Sequence, residues 1–189
     1  MSWFTDQYPL MTREDAQLMV AHYPLMSPLP RHSKWFPSVS MAYGEATFIC
    51  PTNYILDILA DAGLANQTWS WRFNVWDEDN FNNGFGVPHV FDGPAVFGPH
   101  NLPSPGSYFT YNRPIVPVMM NYIISFVRTL DPNPLRYSGA PAWDTWGSSS
   151  AQRRMVLETR NSHMERVDGG QKKRCGFWKD VGQVLEQRV

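Results

Sequence analysis

His89 is the side chain in this sequence with the clearest capacity for chemistry. It ends the run Gly86-Val87-Pro88-His89, on a loop that follows an aromatic stretch, and Asp92 lies three residues further on. An imidazole exchanges protons near neutral pH, so a histidine on such a loop can act as a general base or a general acid. The residue types alone leave two readings, a site of proton transfer or a capped loop histidine with a satisfied hydrogen bond.

The other polar groups do not favour a metal site. His22, His32, His100 and His163 show no ligand spacing with one another or with cysteine. The acidic run Asp77–Asp79 lacks the glycine and the regular ligand alternation of a calcium loop, which favours a solvated turn. We therefore expect no metal.

A strand must position the histidine loop. Apolar and polar residues alternate over Thr68–Trp76, with Trp69, Trp71 and Phe73 on one side, and this period-two pattern is typical of a β-strand. These tryptophans, with Trp76, suit a sugar-stacking platform, but alternating aromatic residues on a strand more often form core. A second short strand is predicted at residues 154–159.

Apolar residues recur at helical spacing before and after these strands, which predicts several helices. A proline-rich loop is expected at residues 25–40. The first helix is capped by Thr12, ends near His22 and turns Leu18 and Met19 inward. The other predicted helices cover residues 51–62, 114–130 and 173–188.

Strands that alternate with helices favour an α/β fold. Two strands with exposed edges do not form a stable sheet alone, so the sequence predicts part of a larger sheet.

The residues after the aromatic strand resemble a known family. His89, Asp92, Pro94 and Val96-Phe97-Gly98 match, position by position, the histidine loop of type B carboxylesterases and fungal lipases, which have the α/β-hydrolase fold. Weaker matches in the same order are Phe48–Thr52, Ile123–Asn133, the stretch with Trp143, and Arg174–Trp178.

This resemblance implies that residues 1–189 form a single partial α/β-hydrolase domain, the C-terminal portion of the fold with an incomplete sheet. It implies that His89 is the catalytic histidine, that Asp92 stabilises its loop and that no cofactor takes part. Val90 departs from the pattern, because the family has a small residue there, and we expect it to crowd the loop.

The rest of the family's catalytic machinery is absent. Gly-x-Ser-x-Gly, the motif that holds the family's serine, does not occur in these 189 residues. The acidic member and the oxyanion-hole glycines lie upstream of the matched part in the family. Without a nucleophile there is no acyl-enzyme, so we expect the chain alone not to hydrolyse esters measurably.

Two readings of the function follow. The chain is part of an ester hydrolase completed by a complementary N-terminal hydrolase chain and acting on a small apolar ester, or it is a non-hydrolytic binding or biosynthetic module. The second would be a homo-oligomer, most simply a dimer, that buries its sheet edge and aromatic surface and binds a small apolar ligand. A third reading is a truncated gene product without activity.

Composition bounds the partners and the compartment. The net charge is −1 with 16 basic and 17 acidic side chains, which gives no reason to expect nucleic acid as a partner. The most apolar run, residues 114–127, is too short to span a membrane. Residues 1–11 contain no secretory signal, so the sequence as written predicts a cytoplasmic protein, or a secreted one if it belongs to a larger precursor.

Cys50 and Cys175 are far apart in sequence, and they suit either two half-buried thiols or a disulfide. Asn66-Gln67-Thr68 is a possible N-glycosylation site.

Overall fold

The computed structural model describes residues 2–148, 150–183 and 185, and shows an α/β chain. Eight α-helices and three strands occur in this part of the chain. The helices are α1 (Ser2–Gln7), α2 (Arg13–His22), α3 (Phe36–Gly44), α4 (Cys50–Leu59), α5 (Glu78–Asn82), α6 (Gly93–Phe97), α7 (Ile115–Thr129) and α8 (Gly169–Gly182). The strands are β1 (Trp71–Phe73), β2 (Arg153–Leu157) and β3 (His163–Arg166).

The sheet is small and mixed, in the order β1-β2-β3. β1 runs parallel to β2, with Trp71 opposite Met155 and Phe73 opposite Leu157. β3 runs antiparallel to β2. The sequence predicts the first two strands, but the strand predicted over Thr68–Trp76 is confined to Trp71–Phe73, and the one predicted at residues 154–159 ends at Leu157. It does not predict β3, whose residues are mostly polar or charged and lack a period-two apolar pattern.

The chain divides into two compact units. The first comprises the described residues of Met1–Ile55 and Val167–Val189, and the second comprises Leu56–Arg166. The prediction of a single domain over residues 1–189 stays a prediction.

The first unit has a helical core. Its buried members come from α1 to α4 and from the C-terminal segment: Phe4, Met11, Ala16, Met19, Tyr23, Ala42, Ala46, Cys50, Phe177, Trp178, Val181 and Leu185. Within this core the Glu45 carboxylate accepts hydrogen bonds from Arg174, Tyr23 and Gln171. Its charge is buried but fully paired, which is the condition for a carboxylate to be tolerated in an interior.

The second unit is organised around the sheet and α7. Its core consists of Val75, Phe91, Ala95, Tyr108, Ile115, Val116, Met119, Tyr122, Trp143, Met155 and Leu157. Helix α7 begins after Pro114 and ends where Leu130 adopts a left-handed conformation with a φ of 58°. These limits confirm the predicted helix at residues 114–130. The described helices include none that is long and apolar enough to cross a bilayer.

The sequence predicted α2, α4, α7 and α8 but not α1, α5 or α6, and four predictions need correction. The segment predicted as a loop at residues 25–40 enters α3 at Phe36, where Pro37 occupies the first turn and so loses no intrahelical hydrogen bond. Helix α3 continues through a π-helical turn, Glu45–Ile49, into α4, so the helix predicted to begin near residue 51 begins earlier. Leu18 was predicted to face inward but is 48% exposed, because Ala16 and Met19 form the buried stripe of α2. Helix α8 begins at Gly169, four residues before the predicted start, and residues 184 and 186–188 of that prediction lie outside the described residues.

Candidate active site

The chain leaves β1 through a tightly bonded segment. The Asn74 amide donates to the Leu157 carbonyl at 2.9 Å, and the Asn74 side chain donates to Glu158 at 2.5 Å. Val75 is fully buried, and the Trp76 carbonyl accepts a hydrogen bond of 2.7 Å from Asn112. The strand end is therefore fixed before the chain turns towards the histidine.

The acidic run predicted as a solvated turn instead starts a helix. Asp77 is buried and its carboxylate accepts from the Asn80 amide at 3.0 Å, which caps the N-terminus of α5. The Tyr111 hydroxyl donates to the second carboxylate oxygen of Asp77 at 3.5 Å and accepts from the Glu78 amide at 3.0 Å. This correction follows from the capping preference of aspartate.

His89 lies on an exposed turn just beyond α5. The Phe91 amide donates to the Pro88 carbonyl at 3.3 Å, and the Gly93 amide donates to the Val90 carbonyl at 3.1 Å. Val90 has a φ of 60°, in the left-handed region that a β-branched residue rarely adopts. The departure at Val90 therefore coincides with backbone strain next to the histidine.

The buried ring of Phe91 holds this turn against the core of the second unit. It is buried, with its centroid 5.2 Å from that of Tyr108 and 6.2 Å from that of Phe73 on β1. The Tyr108 hydroxyl donates to the Phe91 carbonyl. The anchor links the histidine turn to both β1 and the segment before α7, so His89 is exposed on a rigidly supported loop.

Asp92 lies at the N-terminus of α6. Its carbonyl accepts from the amides of Ala95 at 2.9 Å and Val96 at 3.0 Å, while its carboxylate makes no helix-capping hydrogen bond. Burial raises the pKa of the Tyr108 hydroxyl, and the negative charges of Asp92 and Asp77 raise it further. Tyr108 therefore stays a neutral donor to the histidine turn at physiological pH. The supporting role of Asp92 stays a prediction.

The opposite side of β1 bears a charged cluster. Arg72 donates two hydrogen bonds to the Glu165 carboxylate, at 2.9 and 3.0 Å, and Arg154 donates a third at 2.6 Å. Burial by itself would raise the pKa of Glu165, but the hydrogen bonds from Arg72 and Arg154 outweigh it and lower the pKa. This cluster joins β1, β2 and β3 across one face of the sheet.

The tryptophans do not form one platform, nor are all of them core. Trp69 and Trp71 line an apolar cavity of about 250 Å³ with Tyr122, Phe126 and other residues of the second unit. Trp76 is 51% exposed and instead contacts Phe81 and Tyr111. Trp71 is also exposed, because it lies on the edge strand of the sheet.

Cys50 and Cys175 form a disulfide with a Cα–Cα distance of 5.1 Å. Asn66 is exposed in the turn that follows residues 60–64, where a glycan would have room. The part of the chain that the structure describes contains no group of three or more His, Cys, Asp or Glu side chains suited to a metal ion.

The structure thus brings His89 and Asp92 onto one supported turn. Tyr108 and Phe91, which hold that turn, were not predicted from the sequence as site residues. The sequence contains little sign of this contact, because it joins residues 17 positions apart and its acceptor is a backbone carbonyl, which every residue type has.

Comparison with known proteins gives consistent matches. The model of the carboxylesterase family matches residues 6–178. The chain is similar to Secreted lipase 4 of Gibberella zeae, with 27% identity over 184 residues, which cover 91% of this chain and 30% of the lipase. It is also similar to the crystal structure of Aspergillus niger EstA, with a TM-score of 0.90 and 42% identity over 97% of this chain and 35% of EstA. The chain therefore spans about a third of the length of these two proteins.

Proposed function

The chain belongs to the carboxylesterase family and has an α/β-hydrolase fold, and from that premise we propose that it is the histidine-bearing, C-terminal part of a carboxylic ester hydrolase. His89 acts as the general base that takes the proton of a serine and then returns it to the leaving alcohol. A complementary N-terminal hydrolase portion supplies the serine, the acidic residue and the oxyanion hole.

The observation that carries this proposal is the contrast around His89. Below the turn, Phe91 and Tyr108 are buried and bonded, as a rigid catalytic loop requires. Around it, the apolar side chains of the same loop and of α6 are exposed: Phe85, Val87, Val90 and Phe97. A cluster of exposed apolar side chains marks a surface that another protein segment covers.

The edge of the sheet supports the same partner. The Ser70 carbonyl and the Asn74 amide hydrogen-bond to β2, so by the alternation of a strand the backbone groups of Trp71 and Phe73 face away from β2. No described strand pairs with this side of β1. An open parallel edge of this kind is suited to a further strand from the complementary portion.

The proposed substrate is a small apolar ester, and the proposed compartment is oxidising. Disulfides persist in secreted proteins and are rare in the cytosol, so the Cys50–Cys175 bond supports secretion as part of a larger precursor. The similarity to a secreted lipase and the exposed Asn66 sequon support the same compartment.

The second candidate is a non-hydrolytic, homodimeric module. The same open β1 edge favours it, because two copies can pair their edges and bury the apolar surface between them. Sedimentation of the purified chain distinguishes the two, since a stable dimer supports this candidate and a monomer contradicts it.

The experiment for the hydrolase proposal measures p-nitrophenyl acetate turnover by the purified chain, by His89→Ala and by His163→Ala, an exposed histidine on β3. Because the chain has no Gly-x-Ser-x-Gly, we expect all three to match the background rate. Turnover by the wild-type chain that disappears in His89→Ala would contradict the need for a complementary portion.

A further inference from the structure

A second, larger groove of about 980 Å³ opens in the Leu56–Arg166 unit. It lies between the loop after α6 and the first turn of α7, and Arg160 of the β2–β3 turn borders it. Its volume is within the range of small-molecule sites. Neither the histidine turn nor the open strand edge contributes to its lining.

The groove is positively charged. Arg113, Arg160 and His100 line it, and no carboxylate is among its lining residues. The whole chain has a net charge of −1, so its surface is not basic overall. The basic groups of the groove are therefore a local concentration of positive charge.

The two arginines are available to a ligand. Arg72, Arg153, Arg154 and Arg174 all form ion pairs, as expected of structural arginines. Within the described residues, the guanidinium groups of Arg113 and Arg160 have no ion pair or hydrogen bond, and both residues are exposed.

Local structure explains why Arg160 stays unpaired. Glu158, the carboxylate of its own turn, is occupied by hydrogen bonds from Asn74 and Asn161. Arg160 itself has a φ of 65°, a left-handed conformation that an arginine adopts at a conformational cost. Strain of this kind concentrates at binding sites, where the surrounding structure enforces it.

Helix α7 adds to the positive field. Its 15 residues begin directly after Pro114, and both Pro114 and Pro117 line the groove. The N-terminus of a helix attracts negative charge. The two prolines have no N–H group to donate, and the side chains of Asn101 and Thr110 already donate to the carbonyls of Phe97 and Gly106. The arginines are therefore the main hydrogen-bond donors to an anion here.

Asn101 and Thr110 also line the groove, and much of the remaining lining is apolar. The rings of Phe109 and Tyr137 are exposed along the groove, and Val116 and Met120 of α7 extend the apolar surface. An inorganic anion would leave this surface uncovered. The groove therefore combines donors for a carboxylate with a surface for a hydrocarbon chain or ring.

We propose that this groove binds an organic monocarboxylate, with its carboxylate held by Arg113 and Arg160 and its apolar body against Phe109, Tyr137 and Met120. The planar guanidinium forks match the geometry of a carboxylate. The site does not depend on the proposed ester hydrolysis.

The test titrates the purified chain with octanoate by calorimetry, and compares the double variant Arg113→Gln/Arg160→Gln with Arg128→Gln. Arg128 is a matched control because it is exposed on the last turn of the same helix and outside the groove. We expect saturable binding that the double variant weakens at least about tenfold and Arg128→Gln leaves unchanged. Unfolding midpoints of all three proteins show that the variants fold.

Two further ligands test the chemistry. Octanol has a hydrocarbon tail of the same length without the charge, and it should bind at least about tenfold more weakly than octanoate. Inorganic phosphate should not displace octanoate at equal concentration. Absence of octanoate binding, equal binding of octanol, displacement by phosphate, or equal weakening by Arg128→Gln would each overturn the proposal.

Discussion

Val90, next to His89, holds a backbone conformation that its side chain opposes. Its φ is 60°, and the residue is 68% exposed, so little apolar burial offsets the strain. Such strain in a non-glycine residue costs about 1–3 kcal/mol. It persists because the surrounding turn, anchored by Phe91, determines the conformation.

Val90→Asn should therefore stabilise the protein, because asparagine tolerates the left-handed region far better than a β-branched residue. We expect the free energy of unfolding to rise by about 1 kcal/mol in urea titrations. Val87→Asn is the matched control, since Val87 has no positive φ and should gain nothing. An equal or lower stability of Val90→Asn would contradict the strained conformation.

The contacts of Glu45 make a large contribution to the free energy of unfolding. Burial by itself would raise the pKa of Glu45, but hydrogen bonds from Arg174, Tyr23 and Gln171 outweigh it and hold the pKa below the ordinary value of 4.5. A carboxyl group with a lower pKa in the folded state stabilises the fold above its unfolded pKa. That contribution is lost as the pH falls below about 4.5 through the folded value.

Glu45→Gln should lower the free energy of unfolding by about 3 kcal/mol at neutral pH, because it leaves Arg174 without its charged partner. Between pH 6 and pH 3 the variant should also lose less free energy of unfolding than the wild-type chain, because the part of the loss that comes from protonation of Glu45 is absent. Glu14→Gln, at an exposed position in the first turn of α2, should lower the free energy of unfolding by less than about 1 kcal/mol. Parallel pH profiles for Glu45→Gln and the wild type would contradict this account.

The unpaired edge of β1 predicts a specific pattern of amide hydrogen exchange. In the isolated chain the amides of Trp71 and Phe73 should exchange much faster than those of Asn74 and Met155, which donate to the neighbouring strand. If a strand of a complementary portion pairs with this edge, it should protect Trp71 and Phe73. Equal protection of all four amides in the isolated chain would show that the edge is already covered.

Elements with local signals could be predicted from the sequence. Helices α2 and α7 were predicted because their signals are local: Thr12 forms a capping box with Asp15, and Pro114 and Leu130 bound the apolar stripe of α7. β3 was not predicted, because its polar residues form a strand only through pairing with β2.

The position of the histidine turn was predictable for a similar reason. A motif with Asp92 and Val96-Phe97-Gly98 in fixed spacing is a local feature, and it placed His89 on a loop after the aromatic strand, as observed. The groove with Arg113 and Arg160 was not, because 47 residues separate the two arginines and their lack of partners is a tertiary property.

At the scale of the whole molecule, the disulfide should make a large contribution to stability. Cys50 and Cys175 are 125 residues apart, and a cross-link that closes a long loop restricts the unfolded chain most. We expect Cys50→Ser/Cys175→Ser to lose about 3 kcal/mol of unfolding free energy. Reduction of the wild-type protein should have the same effect, and two reactive thiols in the native, unreduced protein would contradict the bond.

We propose His89 as the catalytic histidine of an ester hydrolase whose other catalytic groups lie in a complementary portion. The most direct test is a chimera in which this chain replaces the matched third of Aspergillus niger EstA. The measurement is p-nitrophenyl butyrate turnover, with the unaltered host as the reference rate and thermal unfolding as the check of folding.

We predict that the chimera hydrolyses the ester, that His89→Ala lowers its kcat by at least about 10⁴-fold, and that His163→Ala keeps the chimera's rate. A folded chimera that turns over equally fast with and without His89, or not at all, would contradict the claim.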